Sequence, residues 1–160
     1  MTRMSLSITM AALLAVPGHA LAQQSTSAQE VRQTIRDGYA YSRDNLVGAP
    51  DTYAEDGAVE FWSSGGLGQF VPADARQDDY ESFNLTPKHI RVIVLVEDQA
   101  AVAHFYAEGS FHQVGQPVIP DYMTRVSQVF VKENGEWKVR SSHFSPLVGG
   151  SGTTQRALDN

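Results

Sequence analysis

Side chains that can give or take a proton alternate with apolar ones along residues 103–112. The odd positions carry alanine, phenylalanine and glycine, and the even positions carry His104, Tyr106, Glu108, Ser110 and His112. Because successive side chains of a β-strand point to opposite faces, one face would be apolar and the other titratable. Inside a pocket of low dielectric, the pKa values of His104, Tyr106 and Glu108 would move towards neutrality, which suits proton transfer. A half-buried strand with its polar face in water has the same pattern.

The candidate catalytic residues extend to Arg125, His143 and Glu60. Arg125 stays charged at any working pH, so in a pocket it would hold a carboxylate or stabilise an enolate or phenolate; on the surface it would pair with a glutamate. His143 shares a strand face with Trp137, which we expect in the core, so it is either a hydrogen-bonded core residue or a proton carrier. Glu60 shares a strand face with Trp62, and a carboxyl beside tryptophan in an apolar hollow has a raised pKa. An exposed Glu60 is the alternative.

Aromatic residues are the candidates for binding a substrate. Helical spacing places Tyr39 with Ile35 on the inward side of the first predicted helix. Phe61 and Trp62 lie in the first predicted strand, and Trp137 begins the last. These four aromatic residues would line an apolar pocket.

We expect chemistry without a metal or a cofactor. His104, Glu108, His112 and His143 could share a face, but their spacing matches no recognised zinc motif. The glycines of residues 64–68 do not open a helix after a strand, so they do not predict a dinucleotide site. The chain has no cysteine to serve as a nucleophile.

The spacing of apolar residues predicts helices first and a long antiparallel sheet after them. Asn134 and Gly135 are typical of a tight hairpin turn, because they tolerate positive φ. The resulting fold is α+β, with N-terminal helices packed on one face of a curved sheet. We expect helices at 28–46, 51–56 and 72–83, and strands at 58–63, 90–97, 100–111, 122–132 and 137–145.

The two ends of the chain are expected to lie outside the folded domain. Residues 1–22 have a basic start, an apolar run and the small-x-small triplet Ala20-Leu21-Ala22, which is typical of a cleavable signal peptide. We therefore expect a periplasmic or secreted protein with one domain over 23–148 and a flexible tail over 149–160. The net charge of −6 argues against nucleic acid as a partner and against attachment to anionic membranes after cleavage.

Several short motifs resemble the SnoaL-like branch of the nuclear-transport-factor-2-like superfamily over about residues 28–147. They are Val-Glu-Phe-Trp-Ser-Ser-Gly-Gly at 59–66, Lys-Glu-Asn-Gly-Glu-Trp-Lys at 132–138 and His-Phe-Ser at 143–145. The resemblance implies a cone of curved sheet with a deep apolar pocket, and a homodimer. Ketosteroid isomerase, scytalone dehydratase, limonene epoxide hydrolase, polyketide cyclases and diarylpropane lyases belong to this superfamily, as do proteins that only bind ligands or partners. In ketosteroid isomerase an oxyanion-binding tyrosine stands on the first helix, which makes Tyr39 its analogue, but the two aspartates of that enzyme have no clear match.

Two functions follow as hypotheses. The first is a cofactor-independent lyase or isomerase that acts by acid–base catalysis on an aromatic or otherwise hydrophobic small molecule, for example formaldehyde-releasing cleavage of a lignin-derived diarylpropane. The second is a non-catalytic periplasmic protein that binds such a molecule. Convergence of His104, Tyr106, Glu108 and Arg125 inside the cavity would favour the enzyme. A further possibility is assembly through the outer face of the sheet, since residues 90–97 are apolar on both sides.

Overall fold

A long helix precedes seven strands in the part of the chain that the computed structural model describes, residues 25–147. Within these residues, no helix is long and apolar enough to cross a membrane. The expected signal peptide, its cleavage site and the expected tail lie outside the described residues. The elements are α1 (Thr26–Asn45), β1 (Ala58–Phe61), β2 (Gln69–Val71), β3 (Tyr80–Phe83), β4 (Thr86–Val96), β5 (Ala100–Gln113), β6 (Ile119–Glu133) and β7 (Glu136–Pro146).

Helix α1 is held by a cap at each end and by an apolar stripe. The hydroxyl of Ser25 accepts a hydrogen bond from the Ala28 backbone N–H at 3.2 Å. The helix ends where Leu46 takes a left-handed conformation with φ of 56°. Val31 and Ile35 lie one turn apart and are buried against the sheet. The predicted helix over 28–46 is therefore confirmed within two residues at its start.

The strands form a single open sheet with both parallel and antiparallel pairs. Its order across the described chain is β2-β1-β7-β6-β5-β3, and β4 also pairs with β5. All neighbours are antiparallel except β1 and β7, which run parallel. The predicted α+β class and the antiparallel run from β4 to β7 are confirmed.

Two predicted short helices are wrong. In residues 51–56 the chain is extended enough to pair with β7: the Ala54 N–H donates to the Val139 carbonyl at 3.0 Å, and the Val139 N–H donates to Thr52 at 2.8 Å. Residues 72–83 form a turn and then β3. That stretch has no apolar stripe at helical spacing to pack on the sheet, and its backbone bonds instead to neighbouring segments.

A glycine lies at a bend of β5, where the pairing with β6 shifts its register. Gly109 has φ of 138°, and a Cβ at this position would lie 2.2 Å from the carbonyl oxygen of Asn84. At this point β5 leaves β4 and pairs with β3. Helix α1 packs against one face of the sheet, so the two sheet faces have different surroundings. We name the face that packs against α1 the inner face and the opposite one the outer face.

The hydrophobic core lies between α1 and the inner face. Small side chains on β5, Ala101, Ala103 and Ala107, let the helix approach the sheet closely. Larger ones fill the space around them: Phe105, Val126, Phe130, Trp137 and Val139. The predicted hairpin at Asn134 and Gly135 is confirmed, with φ of 52° and 85°.

Candidate functional site

A buried carboxyl group lies on the inner face, at the centre of β1. Glu60 is only 2% exposed. The hydroxyl of Tyr53 donates to Glu60 Oε2 at 3.4 Å, and the hydroxyl of Ser142, its register partner on β7, also bonds the carboxyl. Gln128 in turn donates to Ser142 Oγ at 3.2 Å. The position of Glu60 is thus set by hydroxyl groups from two neighbouring segments.

Burial controls the acidity of Glu60. Loss of water raises the pKa of this carboxyl, and the hydrogen bonds from Ser142 and Tyr53, which favour the ionised form, oppose that effect only in part. The nearby negative charge of Asp78 raises the pKa further. A carboxyl tuned upward in this way can hold or accept a proton closer to neutral pH than an exposed glutamate can.

A second acid stands at the edge of the site. Asp78 is exposed, but neighbouring atoms remove part of the water around its carboxyl, and this desolvation raises its pKa. A hydrogen bond from Gln113 lowers the pKa, and the negative charge of Asp79 raises it. The negative charge of Asp78 also raises the pKa values of Tyr53 and Tyr80. The site therefore has one acid in its interior and one at its rim.

Six aromatic rings continue the inner face from α1 to β6, and we call them the aromatic cluster. The ring of Tyr39 on α1 lies 6.0 Å from those of both Phe83 and Phe105, measured between centroids. Tyr80 lies 4.8 Å from Phe83. The remaining contacts are Tyr80 with Phe111 at 6.3 Å and Phe111 with Tyr122 at 5.2 Å.

Three partly buried tyrosines of the inner face, Tyr39, Tyr53 and Tyr80, remain neutral hydrogen-bond donors at physiological pH. Burial is the main cause that raises the pKa values of Tyr39 and Tyr53 well above the ordinary tyrosine value, and it raises the pKa of Tyr80 to about 12. Tyr122 donates its hydroxyl to Ser63 Oγ at 3.1 Å. A neutral phenol such as Tyr53, next to the Glu60 carboxyl, can donate a hydrogen bond to a developing oxyanion.

A groove reaches the aromatic cluster from the surface. It has a volume of about 250 Å³ and runs between α1 and the connection from β3 to β4. Its walls include Tyr39, Leu85 and Pro87. The deep apolar pocket expected from the sequence stays a prediction.

Comparison with known proteins rests on solved structures. No family model matches the sequence, and no curated protein matches it. An NTF2-like protein of unknown function from Pseudomonas putida KT2440 superposes with a TM-score of 0.55 at 18% identity, over 84% of this chain and 96% of that one. The present chain has the nuclear-transport-factor-2-like (NTF2-like) fold.

Other structures with this fold differ in what they are named for. A protein from Novosphingobium aromaticivorans, provisionally named an aromatic ring hydroxylase, superposes with a TM-score of 0.57 at 16% identity, over 82% of this chain and 96% of that one. The hub homology domain of a calmodulin-dependent kinase II from Chlamydomonas reinhardtii gives 0.51 at 14% identity, over 77% and 99%. At these identities the similarity shows the fold and does not choose a function.

Most of the predicted catalytic residues lie on the outer face of this NTF2-like fold. His104 hydrogen-bonds with Ser127 Oγ at 2.9 Å, and Tyr106 is 37% exposed. Glu108 is paired with Lys88. They were expected inside the cone, but strand alternation does not say which face is inside. The packing of α1 decides it: Val31 and Ile35 lie in one core with Ala101, Ala103, Phe105 and Ala107 of β5, so that face is inside.

Arg125 and His143 are also on the outer face. Arg125 donates to Ser145 Oγ at 3.1 Å and to the carbonyl of Pro146 at 3.3 Å. His143 was expected on the same face as Trp137, but Arg140 is an extra residue in β7, since Val129 pairs with Ser141 and Phe130 pairs with Val139. This β-bulge reverses the alternation, so that Trp137 is buried and His143 is exposed.

The predicted substrate-binding residues are divided between the two faces. Tyr39 belongs to the aromatic cluster, and Trp62 lies at the rim, where its ring stacks on Phe144 at 5.5 Å. Phe61 is on the outer face, 5.8 Å from the ring of His143. Trp137 is buried near the start of α1 and donates to Glu30 Oε2 at 2.8 Å, which makes it part of the core.

Sequence reasoning brought Glu60 and Tyr39 into the inner site and missed their partners. Tyr122 could have been found from the sequence, since it shares a strand face with the buried Thr124 and Val126 of β6. Tyr53 and Asp78 come from irregular segments that have no periodic pattern. In residues 25–147, no three His, Asp or Glu side chains are arranged to hold a metal ion.

Proposed function

We propose that this protein is a cofactor-independent lyase or isomerase that acts on a hydrophobic, aromatic small molecule at the inner site. The observation that carries the proposal is Glu60, a buried carboxyl with a raised pKa, held by hydroxyl groups beside an aromatic cluster. The fold is shared with known acid–base enzymes, which supports the reaction class.

The chemistry assigned to the site is proton transfer. The Glu60 carboxylate takes a proton from a carbon next to a carbonyl group, and the electron pair moves to the carbonyl oxygen as an enolate. A neutral tyrosine of the site donates a hydrogen bond to that oxygen. Protonation of the substrate at another carbon by Glu60 completes an isomerisation, whereas departure of a leaving group on the neighbouring carbon completes an elimination. A diarylpropane diol has no carbonyl, so there Glu60 takes the proton of the hydroxymethyl O–H instead. The C–C bond to that carbon breaks and releases formaldehyde, its electron pair forms a C=C bond, and the neighbouring hydroxyl leaves as water with the proton from Glu60.

The test uses substrates without added cofactors. The protein is incubated with lignin-derived diarylpropane diols and with steroid enones, and products are followed by mass spectrometry. Glu60→Gln keeps the size and hydrogen-bonding capacity of the side chain but cannot take the proton, so turnover should fall by about 100-fold or more. Glu136→Gln, an exposed glutamate paired with Lys138, is the matched control and should keep wild-type turnover.

Two results would contradict the proposal. Unchanged turnover in Glu60→Gln, together with loss of turnover in His104→Ala, would move the reaction to the outer face. Tight ligand binding with no turnover of any compound would favour the alternative function, a protein that only binds a hydrophobic molecule.

The outer face supports a second proposal, a homodimer. Exposed apolar residues occur on β1, β4 and β6 of this face, and they include Val59, Phe61, Ile93, Leu95 and Met123. A patch of this kind marks an interface more often than a monomer surface. Sedimentation analysis should show a dimer for the wild type and a monomer for Ile93→Glu; a monomeric wild type would contradict the proposal.

Export is likewise proposed from residues 1–22. The expected result is a product that begins at Gln23 and is recovered outside the cytoplasm when the full chain is expressed in a bacterium. N-terminal sequencing checks this, and an uncut chain in the cytoplasm would contradict it.

A further inference from the structure

The acids of the inner site have neighbours that do not neutralise them. Glu60 is held by the hydroxyls of Tyr53 and Ser142, and Asp78 is held by the amide of Gln113. The charge that acts on Glu60 is Asp78, and it has the same sign. The charges around these acids therefore disfavour a bound anion and favour a bound cation.

The basic side chains of the surrounding strands bond to groups other than Glu60 and Asp78. Arg140 donates to the Gly57 carbonyl at 3.0 Å, and Arg125 is bonded to β7 on the outer face. Lys132 is bound between Glu30 and Asp98. Two further arginines, Arg36 and Arg43, line the groove beside Tyr39 but are exposed residues of α1.

The aromatic cluster adds a second attraction for a cation. The face of an aromatic ring is negative, so rings around a cavity bind ammonium groups as well as apolar surface. Tyr80 links the cluster to Asp78, because the charge of Asp78 acts on the Tyr80 hydroxyl. Rings and acids therefore meet in one region of the inner face.

A buried hydroxyl group without a partner gives an independent indication of a polar ligand. Thr124 lies on the inner face of β6, two residues from Tyr122, and is 1% exposed. Its Oγ1 has no hydrogen-bond partner among residues 25–147. Leaving a buried oxygen unpaired is costly, and an N–H of a bound ligand would remove that cost.

We propose that the ligand of the inner site is a hydrophobic amine, bound as its ammonium ion between Glu60, Asp78 and the aromatic cluster. This inference rests on the inner site of the proposed function and adds the chemical class of the substrate. A positive charge beside Glu60 stabilises the carboxylate form. Binding of the substrate thereby generates the base that the proposed reaction needs.

Three probes with one ring system test the inference. They are 1-naphthylmethylamine, which is an ammonium ion at neutral pH, the uncharged 1-naphthalenemethanol, and 1-naphthoic acid as the carboxylate. Calorimetric titration should show the amine binding about tenfold tighter than the alcohol, and the acid binding most weakly. Equal or tighter binding of the alcohol or the acid would overturn the inference, and so would failure of all three to bind.

Variants identify the groups that recognise the charge. Asp78→Asn should weaken binding of the amine several-fold and leave binding of the alcohol unchanged, since only the amine interacts with the charge. Asp74→Asn, an exposed acid of the same connection between β2 and β3, is the matched control and should change neither. Thr124→Val should also reduce the preference for the amine. An unchanged amine-to-alcohol ratio in both Asp78→Asn and Thr124→Val would contradict the inference.

Binding and turnover can fail separately. If the amine preference holds and no compound turns over, the ligand class stands and the proposed catalysis fails. If neutral substrates turn over with dependence on Glu60 and the amine shows no preference, catalysis stands and the ligand class is rejected.

Discussion

The two faces of the sheet carry similar side chains in different surroundings. Glu60 on the inner face is 2% exposed, has hydroxyl partners and has a raised pKa. Glu108 on the outer face is met by the ammonium group of Lys88. The same residue type is thus a tunable acid on one face and half of an ion pair on the other. Burial, more than residue type, separates a candidate catalyst from a surface charge.

The largest expected difference between the faces is in stability. Phe105 and Tyr106 are neighbours in β5, but Phe105 is 3% exposed and Tyr106 is 37% exposed. Phe105→Ala should lower the free energy of unfolding by about 3–5 kcal/mol, because it leaves a cavity under α1. Tyr106→Ala should cost about 1 kcal/mol or less. Urea unfolding measures both, and equal losses would mean that the inner face is misassigned.

The bend at Gly109 is where β5 leaves β4 and pairs with β3, so its removal is the next test. Gly109→Ala combines a positive φ with a contact between Cβ and the Asn84 carbonyl, and should cost about 2–4 kcal/mol. Gly115→Ala, with φ of 78° and open space around it, should cost about 1 kcal/mol. Thermal unfolding compares the two, and a harmless Gly109→Ala would show that the bend does not depend on glycine.

Two serines, one on each face, allow the contribution of hydrogen bonds to stability to be compared. Ser142 is fully buried and bonds both Glu60 and Gln128, whereas Ser127 is half-buried and bonds His104. Ser142→Ala should cost about 1–2 kcal/mol, because two buried groups lose a partner. Ser127→Ala should cost about 0.5 kcal/mol. A reversed order in urea unfolding would place the polar network on the outer face.

The pH dependence of stability should be smaller but specific. The folded-state pKa of Glu60 is above its unfolded value, so its contribution to stability is complete at acid pH and declines as pH rises through the raised pKa. Relative to Glu60→Gln, the wild type should therefore lose stability between acid and neutral pH. Parallel curves for the two proteins would contradict the raised pKa.

The sequence predicted the elements with strong periodicity. The apolar stripe of α1, the alternation of β5 and the Asn134–Gly135 turn each depend on local contacts, so they could be derived from neighbouring residues. Alternation along β5 separates two faces but does not say which one a helix will cover. That choice depends on the packing of α1 against Ala103 and Ala107, which are distant in sequence from the helix.

The rest of the site depends on features that local patterns do not record. An extra residue at Arg140 changes the face of His143, and a bulge of this kind shows only when both strands are paired. The parallel pairing of β1 with β7 joins residues about eighty positions apart and brings Ser142 to Glu60. Tyr53 and Asp78 reach the site from irregular segments.

The ionisation of Glu60 is the central claim that can be measured without knowing a substrate. Carboxyl-carbon NMR of the wild type, with Glu60→Gln to assign the signal, follows each glutamate as pH is changed. Glu60 should titrate above the ordinary glutamate range, while Glu30 and Glu136, whose pKa values are lowered by hydrogen bonds from Lys132 and Lys138, titrate below it. A Glu60 signal that titrates with or below Glu30 and Glu136 would contradict the assignment of the inner face as the functional site.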